Sequence, residues 1–347
     1  MSWINEKGPL RDVVISSRIR LARNLANYPF PPVMKPQHAA EIAENIRNSV
    51  IGRRSSQGLS FMFIRDVPIV ERQILVEKHL ASQDLMQNYE VSALIMDKDE
   101  KITIMINEED HIRMQCILPG FQLNQSWDIL NSVDDMLESQ VEYAFHDELG
   151  YLTSCPTNVG TGMRSSVMMH LPALTLNQQM NAILQTISKI GLTARGIYGE
   201  GSEALGSIYQ ISNQITLGLS EEEIINNLTI ACRQIIDKER MARKALWDAN
   251  GIQFEDALWR AYGILLNARV LELKEFMALL SQVRLGVSLG LIPKLTLEDM
   301  DYLMTIGQPG GVTRKAGRMI DGNEIDIARA NVIREVMEGI LKTKDIS

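Results

Sequence analysis

The feature that most constrains the fold is a change of pattern at Asn250-Gly251. Up to about residue 245, short strand-like runs alternate with amphipathic helical stretches, whereas residues 253–347 offer helical patterns and no convincing alternating strand. We therefore expect an α/β domain over residues 9–245 and an all-helical domain over residues 251–347. A chain of 347 residues with 45% hydrophobic residues is long enough to bury the cores of two such domains.

Local patterns place several elements within this plan. Short apolar runs bounded by polar residues predict strands at 59–64, 91–96 and 101–106. Ile42, Ile46 and Val50 follow Pro36 at every fourth residue, which predicts a helix with one apolar stripe. Two pairs have the spacing of a helix-starting capping box, namely Ser220 with Glu223 and Thr296 with Asp299. The helical patterns beyond Asn250 cover residues 253–266, 269–285, 297–306 and 325–342.

Composition excludes several classes of protein. The net charge of −8, from 35 Lys+Arg and 43 Asp+Glu, argues against a general nucleic-acid coat protein. No run approaches the roughly 18 apolar residues of a membrane helix, and the N-terminal residues lack the pattern of a secretory signal. The distant cysteines Cys116, Cys155 and Cys232 exclude a disulfide scaffold or thiolate zinc cage and suit a reducing cytosol. The five histidines lack HExxH or HxH spacing.

The usual nucleotide-binding motifs are missing. There is no GxxxxGK[ST], the glycines in NVGTGMRS and YGEGSEALG do not make GxGxxG, and neither HRD nor DFG occurs. If the chain handles a phosphorylated cofactor, side chains must therefore neutralise the phosphates.

The segment 13–23, VVISSRIRLAR, is the first candidate for that task. If it is extended, Arg18 and Arg20 share one face of the strand, and Ile19 and Leu21 share the other. Two adjacent guanidiniums repel each other unless an anion lies between them, so one interpretation is a polyphosphate clamp. A solvated edge strand with its arginines in water remains the alternative.

The segment 102–115, ITIMINEEDHIRMQ, brings acidic residues to the end of a predicted strand. If the chain stays extended, Glu109, His111 and Arg113 share one face, where a substrate and a phosphate could meet. The alternative is an acidic turn from Asn107 to Asp110 that merely ends the strand.

The segment 153–174 places Cys155 before Pro156, which keeps the cysteine out of the helical region. The Thr157 hydroxyl can hydrogen-bond to its sulfur and favour the thiolate. Gly160 and Gly162 allow the backbone to approach a ligand closely, and Arg164 begins a strand-like run. An inert cysteine is the alternative.

The segment 194–206, ARGIYGEGSEALG, has the composition of a loop that closes over a substrate. Arg195 could reach a phosphate and Glu200 a cationic substrate, whereas an ordinary hairpin loop remains the alternative.

Taken together, the four segments supply five arginines in an acidic protein, each beside a glycine, a turn or a strand end. Phosphoryl transfer requires neutralised phosphate oxygens and aligned reactants more than covalent help from the protein. Glu109 and Glu200 would then hold a cationic guanidinium, which carboxylates match bidentately, and accept its proton.

These segments resemble the catalytic half of the phosphagen (guanidino) kinase family over roughly residues 10–245. The resemblance is carried by SSRIR (16–20), NEEDHIR (107–113), CPTNVGTGMR (155–164) and RGIYGEG (195–201). VEKHLAS around His79 and RSSVM (164–168) resemble the McsB-type protein arginine kinases of bacteria more than creatine or arginine kinases. In the small-metabolite kinases a helical N-terminal domain precedes the first arginine pair. Because Arg18 lies only 17 residues into this sequence, we expect that domain to be absent. The resemblance implies a largely antiparallel sheet flanked by helices, followed by a helical C-terminal domain.

The resemblance also implies ATP and Mg²⁺ as cofactors and assigns roles to residues. Glu109 and Glu200 correspond to the guanidinium-holding and base residues, Cys155 to the reactive cysteine, and Glu108 to a water-mediated Mg²⁺ contact. A core or surface role for His79 stays equally open. The implied ATP contacts are Ser16, Ser17, Arg18, Ile19, Arg20, His79, Arg113, Arg164, Ser165, Ser166, Val167, Met168, Arg195, Gly196, Ile197, Tyr198, Gly199 and Glu200.

One departure concerns the C-terminal domain, where McsB-type kinases carry R-D-x-x-R-A, a pocket for phosphoarginine. Asp326, Arg329 and Ala330 agree with this motif, but Ile325 replaces the first cation. A phosphate would lose a charge-assisted partner worth about 1.5–3 kcal/mol if buried. Arg314, Arg318 or Arg334 are candidates to compensate, and a core or dimer helix over 325–342 is the alternative.

The leading hypothesis is therefore a cytoplasmic, ATP- and Mg²⁺-dependent kinase of protein arginines. A kinase of free arginine or another small guanidino compound, and a phosphoarginine-binding regulatory module, are the alternatives. The resemblance further implies a homodimer, an activator protein, and targets marked for a Clp protease in the stress response. It implies neither nucleic-acid nor membrane partners.

Overall fold

The computed structural model describes residues 2–51, 58–196 and 204–345. The strands are β1 (Val14–Arg23), β2 (Leu59–Phe63), β3 (Ala93–Asp97), β4 (Ile102–Ile106), β5 (Ile112–Pro119), β6 (Phe145–His146), β7 (Gly150–Tyr151), β8 (Met163–His170), β9 (Leu192–Gly196) and β10 (Ile208–Asn213). The helices are α1 (Pro36–Val50), α2 (Ile69–Glu77), α3 (Gln83–Gln87), α4 (Leu123–Glu138), α5 (Pro172–Leu176), α6 (Met180–Ser188), α7 (Glu221–Asn267), α8 (Leu273–Ser288), α9 (Leu297–Ile306), α10 (Pro309–Ala316) and α11 (Gly322–Asp345).

Eight strands form one sheet in the order β2-β3-β4-β5-β1-β8-β10-β9, and every neighbouring pair is antiparallel. The predicted strands at 59–64, 91–96 and 101–106 correspond to β2, β3 and β4. The predicted fold class, a largely antiparallel sheet flanked by helices and followed by a helical C-terminal region, is confirmed.

The two faces of the sheet are covered differently. One face, the core face, carries residues such as Ile19, Leu21 and Val167 and packs against α1, α4, α6 and the first half of α7. The opposite face meets two smaller apolar clusters. One of these contains Leu94 and Ile117 beside α2 and α3, and the other joins Met168 to the C-terminal helices. We call the opposite face the arginine face because all five predicted arginines lie on it.

The predicted helix starts are confirmed by their hydrogen bonds. The Ser220 hydroxyl accepts from the Glu223 amide, and the Glu223 carboxylate accepts from the Ser220 amide. Thr296 and Asp299 make the same reciprocal pair at the start of α9. Such a capping box satisfies amides that the first helical turn leaves without partners.

All regular elements beyond Asn250 within the described residues are helices, as expected. Helix α7 is kinked at Asn250, which leaves helical geometry at φ −151° and ψ 53°, so the part after the kink, residues 251–267, corresponds to the predicted helix at 253–266. Helix α10 was not among the predicted helices; it starts at Pro309, whose fixed φ suits the first turn. We retain the division at residues 245–251 as a proposal. None of the described helices is long and apolar enough to span a membrane.

Candidate active site

The strand register brings the predicted arginines together on the arginine face. Residues directly opposite each other on neighbouring strands point to the same side of a sheet. Arg18 lies opposite Ser166, and Arg20 lies opposite Arg164. Arg113 lies opposite Ala22, two residues beyond Arg20. The arginines that share this face are Arg18, Arg20, Arg113, Arg164 and Arg195, the last placed by its pairing with Gln210.

Arg20 lies at the centre of this group and makes no ion pair within the described residues, and the nearby Glu108 carboxylate, which pairs with Arg113, only partly offsets the positive charges. Burial lowers its pKa well below the usual value, and the positive charges of Arg18, Arg113 and Arg164 lower it further. Its Nε is buried and has no hydrogen-bond partner within residues 2–51, 58–196 and 204–345. A buried cation among like charges is unfavourable unless an anion joins it.

Arg18 and Arg164 are held in place by neutral acceptors. Arg18 Nη2 donates to Gln210 Oε1 at 2.7 Å, and burial followed by the charge of Arg113 lowers the pKa of Arg18 to about 10. Arg164 donates to Asn158 Oδ1 at 3.1 Å and to the Asn213 carbonyl at 2.8 Å. These contacts orient the guanidiniums without neutralising them, so both keep their charge for a ligand.

The chain does not stay extended after β4, which corrects one of the two interpretations of 102–115. Asn107 has φ +58°, and its amide donates to the His111 carbonyl, so residues 107–111 form a tight turn into β5. His111 is consequently buried, where its Nδ1 accepts from the Leu25 amide at 3.1 Å. His111 therefore does not share a face with Glu109.

The same turn nevertheless brings the acidic residues to the arginines. The fully buried Glu108 carboxylate accepts from Arg113 Nη1 at 2.5 Å. Burial pushes the pKa of Glu108 upward, but the Arg113 charge and the hydrogen bonds outweigh it, so the pKa is lowered. Glu109 is exposed at the rim of the site, where partial loss of hydration is the main cause of its raised pKa and a hydrogen bond with Cys155 lowers the pKa in part.

Cys155 and Arg164 meet at this corner through Thr157. Cys155 Sγ lies 3.1 Å from Thr157 Oγ1, as predicted, and Arg164 Nη2 donates to the same hydroxyl at 3.2 Å. The thiol of Cys155 and the guanidinium of Arg164, from one segment, and the carboxylate of Glu109, from another, thus border one site.

Asp110 is a residue that the motif analysis did not single out. Its Oδ1 accepts from Asn24 Nδ2 and from the Ser154 amide, both at 2.6 Å. This carboxylate therefore ties the turn to the segment that carries Cys155. The sequence signal was present in the turn 107–110, but its partner Ser154 lies 44 residues away.

His79 lies just after α2 with φ +60°. Burial, and then the charges of Arg18 and Arg20, lower the pKa of His79 to about 3, so the ring is neutral at neutral pH. Ser16, Arg18, His79, Ser166, Met168 and Gln210 line one narrow cleft with Trp3 and Ile117.

Some of the predicted ATP contacts require correction because strand side chains alternate between faces. Ile19 and Val167 belong to the core face. Ser17 is buried and donates to the Gly120 carbonyl, and the Ser165 amide is bound by Asn213. The side chains of Ser17, Ile19, Ser165 and Val167 therefore do not reach the arginine face.

Part of the predicted site lies outside the described residues, namely Ile197, Tyr198, Gly199 and the candidate base Glu200. Arg195 and Gly196 end β9 just before them.

The residues of the predicted phosphoarginine pocket form a different environment. Arg329 is buried and donates to Asp326, to the Gly307 carbonyl at 2.8 Å and to the Leu271 carbonyl at 2.7 Å. Ala330 belongs to the C-terminal core, whereas Ile325 is half-buried. The candidate compensating cations have partners of their own: Arg314 pairs with Glu71, Arg318 with Glu324, and Arg334 with the Ala268 carbonyl. The alternative of a core helix accounts for these contacts.

No group of three or more potential metal ligands occurs within residues 2–51, 58–196 and 204–345. Glu108 and Glu109 place two carboxylates beside the arginine face.

Comparison with known proteins agrees with this geometry. The family model described as "ATP:guanido phosphotransferase, C-terminal catalytic domain" matches residues 41–242. A second family model, "Protein-arginine kinase McsB C-terminal domain", matches residues 251–346. The fold and the site therefore define an ATP:guanido phosphotransferase.

Curated relatives indicate which family within this class the chain belongs to. A protein-arginine kinase of Desulforamulus reducens is 47% identical over 97% of this chain and 96% of the relative. One from Geobacillus sp. (strain WCH70) is 48% identical over 96% of this chain and 93% of the relative. This chain belongs to the protein-arginine kinase family.

This chain also shares its fold with solved structures of other kinases. A lombricine kinase has a TM-score of 0.59 at 26% identity, covering 66% of this chain and 67% of that one. The duplicated taurocyamine kinase of Schistosoma mansoni, with bound transition-state-analog components, has a TM-score of 0.60 at 25% identity, covering 73% and 38%.

Proposed function

We propose that this protein transfers the γ-phosphate of ATP to arginine side chains of other proteins. The observation that carries the proposal is the buried Arg20, partnerless at Nε within the described ranges and surrounded by arginines on one face of the sheet. A triphosphate supplies the negative charge that this group lacks, and the names of the curated relatives supply the acceptor, a protein arginine.

The arginine face would bind the phosphates and hold the γ-phosphate in line. Arg18 and Arg164, held by neutral acceptors, would contact phosphate oxygens together with Arg20. His79, neutral beside Arg18 and Arg20, adds no further positive charge. Charge neutralisation on the phosphate oxygens is the principal contribution a protein makes to phosphoryl transfer.

Glu109 would hold the target guanidinium opposite the γ-phosphate. In the proposed step, a guanidinium nitrogen forms a bond to γ-phosphorus while the bond from phosphorus to the β,γ-bridging oxygen breaks. ADP leaves, and the nitrogen loses one proton to a carboxylate. Glu109 is that carboxylate in the described residues, with Glu200 as the second candidate from the family resemblance. Cys155, hydrogen-bonded to Glu109, would orient it.

Mg²⁺ is part of this proposal as the ion that accompanies ATP. Glu108, whose carboxylate is fixed by Arg113 at 2.5 Å, would contact it through water. When bound, the ion neutralises charge on the phosphate oxygens.

The direct test is incubation with MgATP and casein, followed by mass spectrometry for acid-labile phosphoarginine. We expect phosphoarginine on the protein substrate. A folded enzyme that binds ATP and gives no such product would contradict the proposal. Faster phosphorylation of free arginine would favour the small-guanidino alternative, and tight phosphoarginine binding without turnover would favour a regulatory module.

Glu109→Ala is expected to lower kcat by about 10²–10⁴-fold, because it removes a carboxylate that acts on the transferring nitrogen. The Kd of MgATP should stay within about twofold, since Glu109 faces the guanidinium and not the phosphates. The matched control is Glu148→Ala, an exposed glutamate in the turn between β6 and β7, which should retain activity. Loss of ATP binding alone in Glu109→Ala would contradict the assigned role.

We also propose the cellular setting that the family resemblance implies. The protein would act in the cytoplasm as a homodimer through its C-terminal helices, with an activator protein, and mark targets for a Clp protease during stress. Sedimentation of the purified protein tests the dimer, and phosphoarginine-dependent degradation by a Clp protease tests the marking.

A further inference from the structure

A cavity of about 920 Å³ beside the arginine face is lined by two distant parts of the chain. Arg18 and His79 belong to its lining, and they are residues of the proposed nucleotide site. Leu273, Gln308 and Pro309 also line it, and they belong to the C-terminal helical region. The C-terminal region therefore forms part of a wall of this cavity.

One side chain joins the two parts at this cavity. Glu77, the last residue of α2, accepts hydrogen bonds from the Gly310 amide at 2.8 Å through Oε1 and 3.1 Å through Oε2. Gly310 is the second residue of α10, so its amide has no partner within the helix. A carboxylate at this position also interacts favourably with the helix dipole.

Gly310 fits this contact because it lacks a side chain. A Cβ at that position would lie 2.7 Å from Glu77 Oε2 and 2.9 Å from Ile74 Cγ1. On the other side of the segment, Arg329 Nε donates to the Gly307 carbonyl at 2.8 Å. The start of α10 is thus fixed between the C-terminal core and α2.

The contact is close in sequence to the arginine face. Glu77 lies two residues before His79. The positive φ of His79 is unfavourable for a residue with a Cβ. Such a conformation persists only when its surroundings hold it. Gln115 Nε2 donates to the His79 carbonyl at 2.7 Å from the sheet side. Glu77 anchors the same turn from the side of α2.

We propose that Glu77 is a positioning residue through which the C-terminal helices set the affinity of the catalytic site for ATP. By holding α10 against α2, it fixes the wall formed by Gln308 and Pro309 and the turn that carries His79. This inference rests on the proposed nucleotide site, and it adds that the C-terminal region shapes that site.

The test compares the full-length protein with three variants, by calorimetric titration with MgATP and by kinetics with casein. Glu77→Ala should raise the Kd and KM of MgATP about tenfold, while kcat at saturating ATP and the KM of casein stay within about twofold. Glu77→Gln should have a smaller effect, about threefold, because its amide oxygen still accepts from Gly310 without the charge. Gly310→Ala should resemble Glu77→Ala because the added methyl group separates α10 from α2.

Glu71→Gln is the matched control. Glu71 pairs with Arg314 between the same two helices, but both side chains are largely exposed and neither lines the cavity. We expect its Kd for MgATP to stay within about twofold of the parent value.

The outcomes separate this inference from the proposed function. Folded Glu77→Ala with unchanged ATP affinity, or with an equal fall in kcat, would overturn the positioning role. Should Glu77→Ala fail to fold, unchanged affinity in Glu77→Gln and Gly310→Ala would overturn it instead. A parent protein that binds MgATP with no phosphoarginine product contradicts the proposed function alone, whereas a parent that binds no MgATP contradicts both.

Discussion

Arg18, Arg20 and Arg164 on the arginine face differ in their counter-charges from Arg11 and Arg284, which meet at Asp301. Arg11 and Arg284 both donate to the fully buried Asp301, the second at 2.5 Å, and this triad ties the segment before β1 to α8 and α9. Within the described residues, Arg18, Arg20 and Arg164 make no ion pair with a carboxylate. Burial of each of these arginines costs desolvation energy. Only Arg11 and Arg284 recover that energy inside the folded chain, through the Asp301 carboxylate.

This difference distinguishes a structural cluster from a binding site. Arg11 and Arg284, like Arg20, each have a buried Nε without a partner in the described part of the chain, so an unsatisfied nitrogen alone does not identify a site. The presence or absence of a paired carboxylate distinguishes the two cases. Arg20 is surrounded by three other arginines, whereas Arg11 and Arg284 share a carboxylate. An external anion is therefore expected at the sheet and not at the C-terminal triad.

The largest effect is expected from a substitution that removes the carboxylate shared by Arg11 and Arg284. Asp301→Asn leaves Arg11 and Arg284 buried without a counter-charge, so we expect the free energy of unfolding to fall by about 3–5 kcal/mol. Urea unfolding followed by circular dichroism measures it. The control is Asp256→Asn, which removes the exposed partner of Arg260 and should leave the midpoint unchanged. Equal midpoints for the two variants would show that the triad does not stabilise the fold.

Removing an arginine that makes no ion pair should weaken ATP binding and leave the stability of the fold intact. Arg20→Ala relieves repulsion from Arg18, Arg113 and Arg164, so we expect no loss of thermal stability. Its affinity for MgATP should fall by about ten- to hundredfold, the equivalent of about 1.5–3 kcal/mol for charged hydrogen bonds. Thermal denaturation with and without MgATP measures both quantities.

Arg23→Ala is the control on the same strand. Arg23 points to the core side, donates to Asp134 at 2.6 Å and lies 3.5 Å above the Tyr151 ring. Because this change leaves the buried Asp134 carboxylate without its cationic partner, it should destabilise the fold by about 3–5 kcal/mol. A larger loss of stability in Arg20→Ala than in Arg23→Ala would reverse the comparison.

The smallest expected effect concerns pH. Burial raises the pKa of Glu109, while the hydrogen bond from Cys155 lowers it in part. Glu109 must be ionised to hold a guanidinium and accept its proton, so kcat should fall as the pH drops through this raised pKa. Cys155→Ala removes the lowering contact and should move the fall to higher pH. A pH profile of kcat at saturating MgATP measures the shift, and a shift to lower pH would contradict the Glu109–Cys155 contact.

Local sequence patterns were enough to predict most of the elements and much of the arginine face. Alternation along β1 places Arg18 and Arg20 on one side and Ile19 and Leu21 on the other, and the capping boxes mark two helix starts. These features are local, because the period of a strand and the first turn of a helix depend on residues only a few positions apart. The strand ends and glycine-rich segments beside Arg113, Arg164 and Arg195 marked the other three arginines.

Only the tertiary structure decided which distant residues meet. The tight turn at Asn107 sends His111 into the core and Glu109 toward Cys155, whereas the sequence alone also allowed an extended chain. Glu77 and Gly310 are separated by 233 positions, and no local pattern links them. Contacts of this kind depend on how the sheet and helices pack, which is a property of the whole chain and not of any short segment of it.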